Sequence, residues 1–221
     1  MKRLLLLSCI VLFPVFLSAE NDNETKVLIV TNMGKITVKL YNETPLHRDN
    51  FIKLVQENKY DSVMFHRVIK LFMIQAGEKY APEDSVAAGF ADKDLDYKIP
   101  AEIVYPKYFH KKGQLCAART EDNVNPERAS SANQFYIVTG KHYTNHELDK
   151  MEAEKNIKLT PEQREAYKTE GGTPHLDGRY TIFGEVVKGI KVVSKIELVS
   201  TDTNDHPLKS VRIKTMKILK K

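Results

Sequence analysis

Residues 65–77 read FHRVIKLFMIQAG. Two apolar runs, Val68-Ile69 and residues 71–74, are separated by the single Lys70. Period-two alternation predicts a strand and puts Arg67 and Gln75 on the same face as Ile69, Leu71 and Met73. A small turn or bulge at Lys70 would change that phase. An arginine and a glutamine thus stand among Phe72 and Met73 on an apolar surface. Such a surface suits an apolar residue whose flanking carbonyls need donors.

Before this stretch, residues 27–30 are continuously apolar, and Ile36, Val38 and Leu40 alternate with Lys35, Thr37 and Lys39. With Asn32-Met33-Gly34 between them, they predict an antiparallel hairpin with one buried face. Thr44-Pro45 predicts a threonine-capped helix with Phe51, Leu54 and Val55 as its apolar face, ending near Asn58. After the stretch, residues 78–98 are polar and small, a long surface loop. Residues 113–118 and 134–138 are strand-like, and the turn formers Asn123, Asn125, Pro126, Ser130 and Ser131 make a loop between them. Asn145 is a candidate cap for a helix holding Leu148 and Met151. Thr160-Pro161-Glu162-Gln163 is a capping box, and Gly171-Gly172 stops the helix it opens. Residues 180–183 predict a strand, 189–198 a helix with Ile190, Val193 and Ile196 inward, and Val211 with Ile213 a closing strand. Many short strands, two main helices and no internal repeat predict a mainly β, closed antiparallel barrel rather than a βαβ sheet.

The 221 residues are 42% hydrophobic, enough for one core. The formal charge is +5, or +3 without Lys2 and Arg3, with signs mixed along the chain, so no nucleic-acid partner is expected. Lys214, Lys217, Lys220 and Lys221 form a basic tail that serves solubility. Residues 1–19 read as a secretory signal: Lys2 and Arg3, an apolar run over 4–17, then Ser18-Ala19. That run is too short for a comfortable membrane span. Residues 20–25 are a linker and 26–221 the folded domain. A second reading takes Leu6-Leu7-Ser8-Cys9 as a lipobox with a lipid anchor at Cys9; cleavage after Ala19 is preferred. Both readings export the protein, to a periplasm first, with a lipoprotein or extracellular form as alternatives. Cys116 is then the only thiol left, which excludes an internal disulfide. Its neighbours Leu115, Ala117 and Ala118 predict a buried, inert side chain.

Three segments in order carry a resemblance: residues 65–77, residues 113–137 (GQLCAARTEDNVNPERASSANQFYI) and residues 176–196 (LDGRYTIFGEVVKGIKVVSKI). Together they resemble the cyclophilin-type peptidyl-prolyl cis-trans isomerases. The resemblance spans most of residues 26–217 and excepts an insertion at 141–174. It implies an eight-stranded barrel capped by two helices. The insertion lies directly before Leu176 and so is expected beside the binding groove, either shaping substrate choice or, the more common fate of insertions, as a surface ornament. The resemblance also implies catalysis of rotation about Xaa-Pro bonds, with no cofactor or metal, on unfolded or folding proline-containing polypeptides by a chain expected to be monomeric.

By the same resemblance Arg67 is the catalytic arginine, while His66 beside it is structural. Phe72, Met73, Tyr136 and Leu176 form the proline pocket. Gln75 and Gln134 hydrogen-bond the substrate backbone, and Ala118 and Arg119 form the strand edge along which it lies. His175 stands where some members carry tryptophan, and Tyr180 where many carry histidine; these two departures bear on drug binding and on one pocket-wall hydrogen bond. Lys70-Leu71 replaces a small or turn-forming pair, and Tyr136 replaces phenylalanine.

Three other readings compete. One is a module that binds proline peptides without turnover, against which Arg67 weighs. Another is a metal site at His142, His146 and Glu147, for which spacing offers no HExxH and no third ligand. The third is a general exported chaperone, which would use the same groove and is not separated from the enzyme by sequence.

Overall fold

A computed structural model describes residues 24–78 and 95–219. The expected signal segment, most of the linker and residues 79–94 of the 78–98 loop lie outside them. The alternating segments at the start form β1 (Lys26–Thr31) and β2 (Gly34–Leu40), joined at Asn32-Met33 with Thr31 opposite Gly34. Val27, Ile29, Ile36, Val38 and Leu40 are fully buried, as the alternation requires.

Helix α1 (Pro45–Gln56) follows, with Phe51, Leu54 and Val55 turned inward. Its cap differs from expectation. The Thr44 side chain makes no capping hydrogen bond; instead the Glu102 carboxylate accepts from Leu46 N at 3.0 Å and His47 N at 2.9 Å. A carboxylate there also suits the positive end of the helix dipole.

The 65–77 stretch is itself a hairpin, β3 (Phe65–Ile69) and β4 (Met73–Ala76). Then come β5 (Lys98–Ile99), β6 (Gln114–Ala117), β7 (Ser130–Ser131) and β8 (Phe135–Val138). The insertion supplies α2 (Asn145–Lys155) and α3 (Pro161–Thr169). A 3-10 turn (Pro174–Leu176), β9 (Ile182–Lys188), α4 (Ile190–Ile196) and β10 (Ile213–Leu219) complete the described chain.

Eight strands form one antiparallel sheet in the order β10-β1-β2-β9-β6-β8-β4-β3; β5 and β7 pair separately. The expected closed barrel is corrected: β3 and β10 are the two edges, and the sheet is strongly curled but open. The seam carries one bridge, Met64 to Arg212, flanked by Phe65 N to Val211 O (2.9 Å) and Ile213 N to Val63 O (2.8 Å). A ladder cannot extend from there, because the chain before Val211 runs as loop. The described residues hold four α-helices: α1 and α4 against the main core, matching the two main helices expected, and α2 and α3 in the insertion.

Three apolar clusters result. The largest lies inside the curl, with α1 and with Val193 and Ile196 of α4 packed on it. The second, on the outer face, joins Tyr41, Met73, Cys116, Tyr136, Val138 and Ile182. The third joins Leu148, Leu159, Ala166 and Tyr167 of the insertion to Phe109, which precedes β6. The predicted helical hairpin is present. The Thr160–Gln163 capping box forms as expected, whereas α2 is capped by Thr144 with Glu147, one residue ahead of Asn145. Gly172, at φ +156°, closes the hairpin where a Cβ would stand 2.3 Å from His110 O; only glycine permits that approach.

Candidate active site

The β3–β4 hairpin sets the site. Arg67 stands opposite Gln75 and Ile69 opposite Met73, so the expected shared face holds up to the turn. Leu71 leaves it. Phe72 N bonds to Ile69 O, and Leu71 takes φ +59° in the turn, where glycine or asparagine usually stands. Its side chain is 53% exposed. β4 then pairs with β8, placing Gln75 beside Tyr136, and β8 pairs with β6, placing Tyr136 beside Cys116. Three adjacent strands thereby lay Met73, Gln75, Tyr136 and Cys116 on the outer face.

The pocket on that face encloses about 500 Å³ including its open mouth. Arg67, Phe72, Met73, Gln75, Ala118, Arg119, Tyr136, Leu176 and Tyr180 line it. Nine of the eleven candidate site residues therefore converge. The other two flank it. Gln134 lines an adjoining pocket and accepts from Gln75 Nε2 at 2.8 Å. His175 stacks on the Phe72 ring, 5.6 Å between centroids and 25° between planes.

Arg67 is at the rim. Its Nε donates to Asp205 Oδ2 at 3.4 Å, and its two terminal NH2 groups make no hydrogen bond among the described residues. The fork therefore keeps donors for an incoming carbonyl or amide nitrogen. Arg119 is used differently. Its guanidinium lies 4.3 Å from the Tyr180 ring centroid, with Nε on Arg179 O and an ion pair to Asp122. The stacked pair walls one side of the pocket.

The backbone edge is narrower than expected. Ala118 N donates to Gln134 O at 3.0 Å, and Ala118 O accepts from Ser131 N at 2.9 Å, so both of its backbone groups are taken. The Arg119 N–H and C=O make no hydrogen bond among the described residues. The edge that can pair with an extended peptide is at Arg119.

Cys116 is fully buried, and burial pushes its thiol well above its ordinary range, as a packing residue requires. Burial likewise raises the Tyr136 hydroxyl, so it stays protonated and can donate. At the proposed metal residues, His142 Nδ1 lies 3.0 Å from Lys168 O and Glu147 closes the α2 capping box.

Elsewhere, Glu102, His47 and Ser130 are aligned at 2.7 Å and 2.9 Å like a nucleophile triad. Ser130 is only 1% exposed, so the row joins α1 to β7 and meets no substrate.

Sequence reasoning missed Asp205, His110 and Asp177. Asp177 adjoins Leu176 in a quoted segment, which was the available hint. The other two are joined to the site by contacts that no local pattern carries.

This curled antiparallel sheet, with an apolar pocket and an arginine on its outer face, defines a prolyl-peptide isomerase architecture. The chain belongs to the family described as Cyclophilin type peptidyl-prolyl cis-trans isomerase/CLD, whose model matches residues 26–218. It is an enzyme of that isomerase class.

A Streptococcus pyogenes relative, provisionally named a bifunctional phosphatase/peptidyl-prolyl cis-trans isomerase, is 32% identical over 205 residues. This chain aligns over 91% of its own length but spans only 40% of that relative. A Schizosaccharomyces pombe peptidyl-prolyl cis-trans isomerase is 31% identical over 188 residues, covering 85% of this chain and 94% of the relative. The fold is similar to that of a Cryptosporidium parvum cyclophilin-type isomerase, with a TM-score of 0.65, 22% identity and coverage of 90% and 99%. The same parasite protein has also been solved in the presence of the dipeptide Ala-Pro.

Proposed function

We propose that this chain accelerates rotation about Xaa-Pro bonds in exported polypeptides as they fold, with Arg67 stabilising the twisted amide. The rotation barrier is about 18–20 kcal/mol because rotation breaks amide resonance. No bond is made, so no nucleophile, metal or cofactor takes part. The proline ring enters the apolar pocket of Phe72, Met73, Tyr136 and Leu176. Gln75 and the Arg119 backbone hold the chain on one side. As the amide twists, its nitrogen lone pair localises, and a cationic donor then gains strength that it lacks against the planar ground state.

The observation that carries this reading is the Arg67 fork at the rim of an apolar pocket, with its NH2 donors uncommitted among the described residues. The Ala-Pro dipeptide used with the parasite protein is of the substrate type proposed. The export reading rests on residues 1–19. Its check is N-terminal sequencing of the protein from the extracytoplasmic fraction, where a start at Glu20 is expected and a lipidated Cys9 start would replace it.

The activity test is cis-to-trans exchange of a short Ala-Pro peptide with the full chain and with Arg67→Ala. The wild type is expected to accelerate exchange, and the variant to lose roughly 100-fold or more, the usual effect of removing a preorganised donor. A wild type that binds the peptide without speeding exchange would replace this reading with the binding module.

A further inference from the structure

Asp177 is buried beside the pocket, its side chain 3% exposed. Its Oδ1 accepts from His110 N at 2.7 Å and from His110 Nδ1 at 3.0 Å; its Oδ2 accepts from Tyr167 Oη at 2.6 Å. A neutral imidazole that donates from Nδ1 must accept at Nε2. Tyr136 Oη lies 3.1 Å from that nitrogen, so its O–H is the donor. With that neutral tautomer the proton directions follow: Tyr136 donates to His110, His110 to Asp177, and Tyr167 to Asp177. His110 and Tyr167 are fully buried and Tyr136 nearly so. The Tyr136 ring is held nearly parallel to His110 and edge-on to Tyr180.

The two ends of this row belong to different parts of the fold. Tyr167 is on α3 of the insertion; Tyr136 is on β8 and lines the pocket. Asp177 follows Leu176, another lining residue. A buried row of this kind is cooperative. Losing the Tyr167 hydroxyl leaves Asp177 Oδ2 without its donor, and the neighbours must rotate to compensate.

We infer that the inserted hairpin is a working part of the proline pocket. His110 and Tyr167 are positioning residues that fix the ring and hydroxyl of Tyr136 through Asp177. This rests on the isomerase reading of the pocket.

The test compares Tyr167→Phe, Tyr136→Phe and the double variant by KM and kcat for an Ala-Pro peptide, with thermal unfolding run alongside. Tyr167→Phe is expected to raise KM roughly three- to tenfold while kcat moves less than about twofold, and to add nothing further once Tyr136 is already phenylalanine. An unchanged KM, or single effects that multiply in the double variant, overturns the inference. If Tyr167→Phe fails to fold, Asp177→Asn replaces it in the same cycle.

A second readout is independent of turnover. The ring 15N shifts of His110 are expected to report an Nδ1–H tautomer in the wild type and to change in Tyr167→Phe. Unchanged shifts overturn the coupling. If the wild type does not accelerate exchange, the isomerase reading fails, and the His110 signal still decides whether the hairpin is linked to Tyr136.

Discussion

Arg67 Nε lies 3.4 Å from Asp205 Oδ2, an ion pair between residues 138 apart in the chain. The backbone supports it, because Asp205 O accepts from Val68 N at 2.9 Å. Both side chains are about two-fifths exposed, so the pair adds little to stability. Its role is to hold one edge of the guanidinium and leave the other toward the pocket. Asp205→Asn is therefore expected to change the melting temperature by a degree or so and to lower kcat by roughly three- to tenfold, far less than Arg67→Ala. Equal losses in the two variants would assign Asp205 a direct part in turnover instead.

Stability should depend on His47. Burial holds its imidazole below the ordinary value, with the Glu102 carboxylate pulling the other way. The unfolded chain takes up that proton near pH 6.5. Below about pH 6.5 the unfolded state therefore binds more protons than the folded one, and stability falls with acidification until the lowered folded value is passed. Above pH 6.5 the contribution is complete. Melting curves from pH 7 to 5 should show a steeper decline in wild type than in His47→Gln; parallel curves would exclude His47 as the cause.

The α1 cap offers a larger effect. Glu102→Ala strips the acceptor from two helix N–H groups and leaves His47 without its carboxylate. A loss of about 1–2 kcal/mol is expected from denaturant midpoints, in the range of capping substitutions. Ser130→Ala, which removes a hydroxyl but no cap, should cost less.

Leu71 holds a left-handed conformation that favours asparagine or glycine, yet packs little. Leu71→Asn is expected to raise stability by up to about 1 kcal/mol, because the backbone strain goes and little burial is lost. A lower melting point would show that the exposed leucine contributes more than its strain costs.

Gly172→Ala tests the hairpin's docking. The added Cβ would fall 2.3 Å from His110 O and 2.6 Å from Tyr167 Cε1. A destabilisation of about 1–3 kcal/mol is expected in thermal unfolding. A neutral result would mean the two segments separate at little cost.

What was legible in the sequence was local. The β1–β2 hairpin, the apolar face of α1, the Thr160–Gln163 box and the shared face of Arg67 and Gln75 all follow from neighbours a few residues apart. The pocket set was legible because three quoted segments carry most of it. What escaped depends on distant partners. Glu102 caps a helix 55 residues upstream, Asp177 meets His110 across 67 residues, and Asp205 meets Arg67 across 138. The open seam escaped for a related reason. Alternation identifies Val211 and Ile213 as inward-facing, but it does not say how many bonds join their strand to β3.

The insertion's separate apolar cluster has a consequence for the order in which the molecule comes apart. A unit whose cluster takes only Phe109 from outside the insertion can open without disturbing the main core, as cooperative subunits of small domains do. In native-state amide exchange, α2 and α3 should then lose protection together and ahead of β6 and β8. The peptide pocket would lose the Tyr167 contact in that opened form while the rest of the sheet stayed folded.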